Sequence, residues 1–245
     1  MFTRPIPKPF PNKTSVLVAV GTRPEAIKLA PIIRRLRSEK DYFNSHVFST
    51  GQHKELLSTI DVQFDTVLSL MVKGQSLNNL LSSVTAPTNE VLERVRPDIV
   101  IVQGDTTTAA GVGMAAFQKD IIVAHVEAGL RTYHLDSPFP EEFNRQLLGL
   151  VACLHFAPTN LTKQNLLAEG VDPEAIFTVG NSGIDSALHQ AQVEHKVDNS
   201  VVEFFFQRSQ TILLCFSLFI GVKTMCTSMM CYKLYFELLR CLRIL

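Results

Sequence analysis

From Ser15 to Gly180 short β-branched runs alternate with segments of helical period, and turn residues separate them. Runs at 16–20, 46–50, 98–103, 121–126, 154–157 and 176–179 are mostly apolar, as strands buried on both faces of a parallel sheet are. Between them, segments 24–37, 53–60, 77–94, 107–117, 141–148 and 161–168 read as helices. This order implies an α/β fold: a doubly wound, Rossmann-like parallel sheet. In the first helix Ile27, Ala30, Ile33 and Leu36 recur every three residues and mark the expected buried face. Pro24 suits the first helical position, where its missing N–H would be unpaired anyway. Pro31 is expected to kink the helix.

Composition narrows the function classes. Among 245 residues, 23 Lys+Arg balance 23 Asp+Glu, which removes the electrostatic drive a nucleic-acid binder needs. No apolar run reaches the roughly 18 to 20 residues of a membrane helix, and the longest lies at 211–222. The proline-rich start has no apolar signal-like stretch, so residues 1–14 read as a disordered lead-in. Five cysteines without a CxxC pair suggest neither a metal site nor a disulfide framework. A reduced, cytoplasmic protein that touches neither nucleic acid nor membrane is expected.

Open parallel sheets bind ligands at the carboxyl ends of their strands. The residues there are Gly21-Thr22-Arg23, Thr50-Gly51-Gln52-His53, Gln103-Gly104-Asp105 and His125-Val126-Glu127. The glycine turn and helix start at 21–25 suit an anion, with Arg23 and Lys28 adding cations. The same residues could equally be a tight strand–helix turn with solvated charges. The pattern is neither a dinucleotide fingerprint nor a P-loop. Asp105 to Thr108 could cap a helix, although three threonines exceed what one cap needs. Glu127, followed by Glu141 and Glu142, could bring carboxylates into one crevice as general acid and base. Alternatively, Glu141 and Glu142 complement a helix dipole. His125 and His155 both admit a reading as satisfied core histidines.

GTRPEAIKLAP, GDTTTA, HVEAGLR, SPFPEEFNR and GNSGID occur in this order and spacing. Together they resemble the non-hydrolysing UDP-N-acetylglucosamine 2-epimerases, from Ser15 to Leu188. The resemblance implies the N-terminal half of a two-domain GT-B architecture. It implies interconversion of UDP-N-acetylglucosamine and UDP-N-acetylmannosamine by anti elimination and re-addition of UDP, without cofactor or metal. It makes Asp105, Glu127 and Glu141 the catalytic carboxylates. Arg23 and Lys28 would contact the nucleotide sugar, and Arg145 would position or charge-balance the acids. Gln52 and His53 match part of an activating-site motif, with Glu55 where a neutral residue is expected. A homodimer is implied for the full-length family. Competing readings are a GT-B glycosyltransferase, a sugar-nucleotide hydrolase, or a non-catalytic remnant that binds nucleotide sugar.

The expected divisions are a Rossmann-like domain at 15–182, an interdomain segment at 183–214, and an anomalous tail at 215–245. From Ser209 onward there is no Asp, Asn, Pro, His or Ala, and the tail holds Cys215, Cys226, Cys231 and Cys241. The family's second half should bring His-Arg-Arg-Glu-Asn after the strand begun at 211–214. Instead the chain reads IGVKTMCTSMMCYKLYFELL from Ile220. Codons for that stretch, read from one base earlier, can encode HRRENNVHLYDVLQALLRAS. A single-base frame change just before Phe219 is therefore expected. It would leave the chain without the second half of its cleft, inactive alone and prone to aggregate.

Overall fold

The computed structural model describes residues 13–51, 62–68, 70 and 74–192. Within them one sheet is formed by β1 (Thr14–Val20), β2 (Phe43–Ser49), β3 (Thr66–Val67), β4 (Ile99–Gln103), β5 (Ile122–Val126), β6 (Leu154–Ala157) and β7 (Ile176–Thr178). The strand order is β3-β2-β1-β4-β5-β6-β7, and every pairing is parallel. The order reverses between β1 and β4, and such a switch point opens a crevice at the carboxyl ends of the strands.

The helices are α1 (Arg23–Ser38), α2 (Leu77–Val95), α3 (Thr107–Gln118), α4 (Glu141–Val151), α5 (Asn160–Ala168) and α6 (Ser182–Gln192). Alternate residues of β1 enter opposite cores, as the pleat requires. Val16, Val18 and Val20 pack with Ala26, Leu29 and Ile33 of α1. Leu17 and Ala19 join Val84, Val112 and Leu148 on the other face. Both faces of the sheet are therefore covered, which is why its strands read as apolar runs rather than alternating ones. No helix of the described residues is long and apolar enough to cross a membrane.

Several expectations need correction. Thr14 is already in β1, inside the segment read as lead-in. Ile27 is 38% exposed; Ala26, Leu29 and Ala30 take the buried face with Ile33 and Leu36. Helix α1 continues through Pro31 to Ser38, as a helix kinked there also does. Residues 182–192, a helix the sequence reading did not list, form α6, which lies against α1, with the Ser186 hydroxyl donating to the Ile27 carbonyl. The helix expected at 53–60, the rest of the interdomain segment and the tail lie outside the described residues.

Candidate active site

Each strand of the sheet's middle ends in a tight turn, and the turns are tied to one another. After β1, Thr22 caps α1 and forms a capping box with Glu25. Glu25 is buried, and its carboxylate accepts the N–H groups of Gly21 and Thr22. It also accepts the hydroxyl of Thr106, from the turn after β4. Burial raises the Glu25 pKa against the lowering effect of these donors. The N–H groups that the sequence offers to an anion are therefore filled by the chain's own carboxylate. Thr106 in turn caps α3 through the Ala109 N–H, at 3.1 Å. Thr108 is buried beneath Gly21, where an added Cβ would come within 2.6 Å of its side chain. Two of the three threonines are thus explained by capping and packing.

Glu127 follows β5 in the left-handed region, at φ 66°. Side chains rarely hold that conformation without surrounding support, and functional sites often do hold it. The support here is specific. Lys28 Nζ reaches both Glu127 oxygens, at 2.8 and 2.6 Å, from 99 residues away. Gln103, buried at the end of β4, donates its side-chain amide to the same carboxylate.

Asp105 has a different cation. Arg145 Nε and Nη2 lie 2.9 and 2.6 Å from its Oδ2. Asn144 donates to the Asp105 backbone carbonyl at 2.8 Å, so α4 grips this turn twice. The two acids are therefore not a carboxylate pair sharing a proton. Each sits with its own cation on adjacent strand ends.

Glu142, which the sequence offers either as a crevice acid or as a complement to the helix dipole, has a third task. It is fully buried and accepts from the Thr132 and Tyr133 N–H groups, Gln146 and Arg145, at 3.0 to 3.2 Å. Burial alone would raise its pKa; these donors override that and hold it at about 2. Glu142 thereby fixes the loop after β5 to the arginine that grips Asp105. The signal available in sequence was its spacing of three residues from Arg145 on one helix face.

The remaining expected site residues are less engaged. Glu141 is half-buried on the first turn of α4 and makes no hydrogen bond or ion pair among the described residues. Arg23 is exposed on the first turn of α1, also without a partner among them. Gln52 and His53 lie outside the described residues. His125 is buried, its Nε2 2.7 Å from the Gly104 carbonyl, and burial lowers its pKa to about 4. It is neutral and braces the turn before Asp105. His155 is likewise buried, with a pKa of about 3, and takes no part in the rim. The described residues include no cluster of His, Cys, Asp and Glu able to hold a metal.

The arrangement offers acids held beside cations at the mouth of a switch-point crevice. It can hold an anionic group against Lys28 and Arg23 while a carboxylate moves a proton. A family model described as UDP-N-acetylglucosamine 2-epimerase matches residues 34–216. The UDP-N-acetylglucosamine 2-epimerase of Campylobacter jejuni is 42% identical over 181 residues, 72% of this chain and 47% of that protein. The protein of the same name from Bacillus subtilis (strain 168) is 43% identical over 177 residues, 71% of this chain and 47% of that protein. A crystal structure of UDP-GlcNAc 2-epimerase from Neisseria meningitidis bound to UDP-GlcNAc superposes with a TM-score of 0.71 at 38% identity. It covers 82% of this chain and 54% of that one. The chain spans about half the length of the curated relatives it matches.

Proposed function

The chain belongs to the UDP-N-acetylglucosamine 2-epimerase family, and from that premise we propose that its strand-end rim is the acid–base half of a site that interconverts UDP-N-acetylglucosamine and UDP-N-acetylmannosamine. The observation that carries this is the paired geometry of Glu127 with Lys28 and Asp105 with Arg145 on neighbouring strands. It occurs at the switch point where such a sheet takes its ligand.

The C2 proton of the sugar is α to no carbonyl and is poorly acidic. Its removal is coupled to departure of UDP. A carboxylate of the rim takes the proton, the C–H electrons form the C1–C2 double bond, and the C1–O bond breaks. Arg23 and Lys28 stabilise the charge left on the diphosphate. Lys28 has two tasks: unliganded, it neutralises Glu127; a bound diphosphate competes for it and frees Glu127 as an acceptor. Glu141, without a cation of its own, delivers or receives a proton, and Arg145 keeps Asp105 in place. Re-protonation of C2 from the other face and return of UDP to C1 complete the inversion. Gln52 and His53 are proposed as part of a second, activating nucleotide-sugar site. The same reading makes the assembled enzyme a cytoplasmic homodimer of GT-B architecture, which sedimentation would check.

The test is incubation with UDP-N-acetylglucosamine and no acceptor. The chain is assayed alone and together with the C-terminal half of the Bacillus subtilis relative. The expected product of the assembled site is UDP-N-acetylmannosamine, with none from the chain alone. Free N-acetylmannosamine would mean hydrolysis instead, and no product from any assembly would contradict the reading. We also propose that the coding frame changes just before Phe219; the family match ends at residue 216, which supports it. Nucleotide sequence around the codons for residues 214–220 decides this: the shifted frame must encode His-Arg-Arg-Glu-Asn.

A further inference from the structure

The opposite edge of the sheet carries a second constellation. A cavity of about 570 Å³ opens where β1 and β2 begin and α1 ends, at the amino-terminal side of the strands. Its charged lining is Lys13, Arg34, Arg37 and Lys40 against the single carboxylate of Asp65. Phe43, which is buried, also lines it. In a chain of formal net charge zero this is a local excess of cations.

Cations near a helix C-terminus ordinarily answer the negative end of the helix dipole. Two arginines already serve there with acids attached. Arg35 pairs with Glu39 at 2.7 Å. Arg37 binds the Gln63 carbonyl and Asp65, at 2.7 and 3.1 Å. Asp65 is further engaged by the Val47 N–H at 2.7 Å. Asp41, nearby in sequence, is exposed and does not line the cavity. Lys13, Arg34 and Lys40 are left without a hydrogen-bond or ion-pair partner among the described residues. Arg34 is half-buried and lines the cavity with a guanidinium that has five donors to offer.

We propose that this amino-edge cavity is a binding site for a small polyphosphate-bearing anion, held by Arg34, Lys40 and Lys13 and separate from the catalytic rim. A guanidinium matches two phosphate oxygens at once, and the flanking ammonium groups neutralise adjacent charges. The volume is that of a site for a small organic ligand. A diphosphate unit, with its charges spread over neighbouring groups, meets three separate cations better than a monoanion does. The site needs nothing from the epimerase reading and would exist in a chain with no turnover.

The experiment is calorimetric titration of the full chain with inorganic pyrophosphate at low salt. It is repeated on Arg34→Glu/Lys40→Glu and on Arg23→Ala, with circular dichroism to confirm that each variant is folded. A saturable binding step is expected that the double charge reversal weakens about tenfold or more and that persists in Arg23→Ala, apart from any binding that Arg23→Ala removes at the rim. Equimolar sulfate should compete poorly. Three results would overturn the proposal: no saturable binding, affinity indifferent to Arg34→Glu/Lys40→Glu, or equal displacement by sulfate. Loss of all binding with Arg23→Ala alone would also overturn it and would place the anion at the catalytic rim. If the double variant is unfolded, Lys13→Gln/Lys40→Gln replaces it, with the same outcomes.

Discussion

The two edges of the sheet handle charge in opposite ways. At the carboxyl rim every engaged acid has an internal partner: Glu127 has Lys28, Asp105 has Arg145, and Glu142 has Arg145 and two backbone N–H groups. At the amino edge the cations outnumber their acids, and three of those lining the cavity stand unpartnered among the described residues. A rim of compensated charges holds its geometry without ligand and changes only when a ligand competes for one member of a pair. An uncompensated edge draws an anion but does not by itself orient one. Preorganisation of the first kind is what proton transfer requires.

Breaking the rim pairs should have the largest effect. In the assembled enzyme, Glu127→Gln or Asp105→Asn should lower kcat by roughly 10²–10⁴-fold, read by product formation. Each variant should retain the fold, because an amide replaces the carboxylate at similar size. Glu142→Ala tests whether compensation, not catalysis, holds the loop after β5. It leaves Arg145 with Asp105 alone and removes the acceptor of the Thr132 and Tyr133 N–H groups, so denaturant unfolding should show a loss of roughly 1–3 kcal/mol.

A change of pH separates neutral from charged groups buried in the same sheet. His125 and His155 have pKa values near 4 and 3 in the fold, below the ordinary 6.5. The unfolded chain therefore binds more protons below pH 6.5. Their contribution to stability is full above that pH and falls as pH drops toward 4. Denaturant melts across that range should show the slope, and His155→Phe should remove about half of it. The smallest structural effect belongs to Arg23→Ala. It should leave the melting temperature unchanged while weakening UDP-N-acetylglucosamine binding about tenfold in the assembled enzyme.

The sheet was legible because its central strands are buried on both faces and read as unbroken apolar runs. β3 was not, since Thr66–Val67 is too short to show a period. α6 was missed because its docked face is polar, with Ser182 and Asp185 buried, while Ile184 and Leu188 face outward. The site was legible only in part. Local spacing identifies rim residues, but the partners Lys28 and Glu127 are joined through the fold alone. For the helix start at 21–25 the tight-turn reading accounts for the N–H groups, but Glu25 is not solvated: its buried carboxylate, three residues past the cap, takes them. Glu142 looked identical to Glu141 in sequence; the full burial of one and half-burial of the other are set by how α4 meets the turn after β4.

The most direct test of the rim as an acid–base site is deuterium at C2. The assembled enzyme is incubated with UDP-N-acetylglucosamine in deuterium oxide, and the UDP-N-acetylmannosamine formed is read by NMR. The account predicts that every product molecule carries solvent deuterium at C2 and that Glu127→Gln slows product formation and exchange together, by roughly 10²–10⁴-fold. Product that retains the original hydrogen, or full activity in Glu127→Gln, would contradict it.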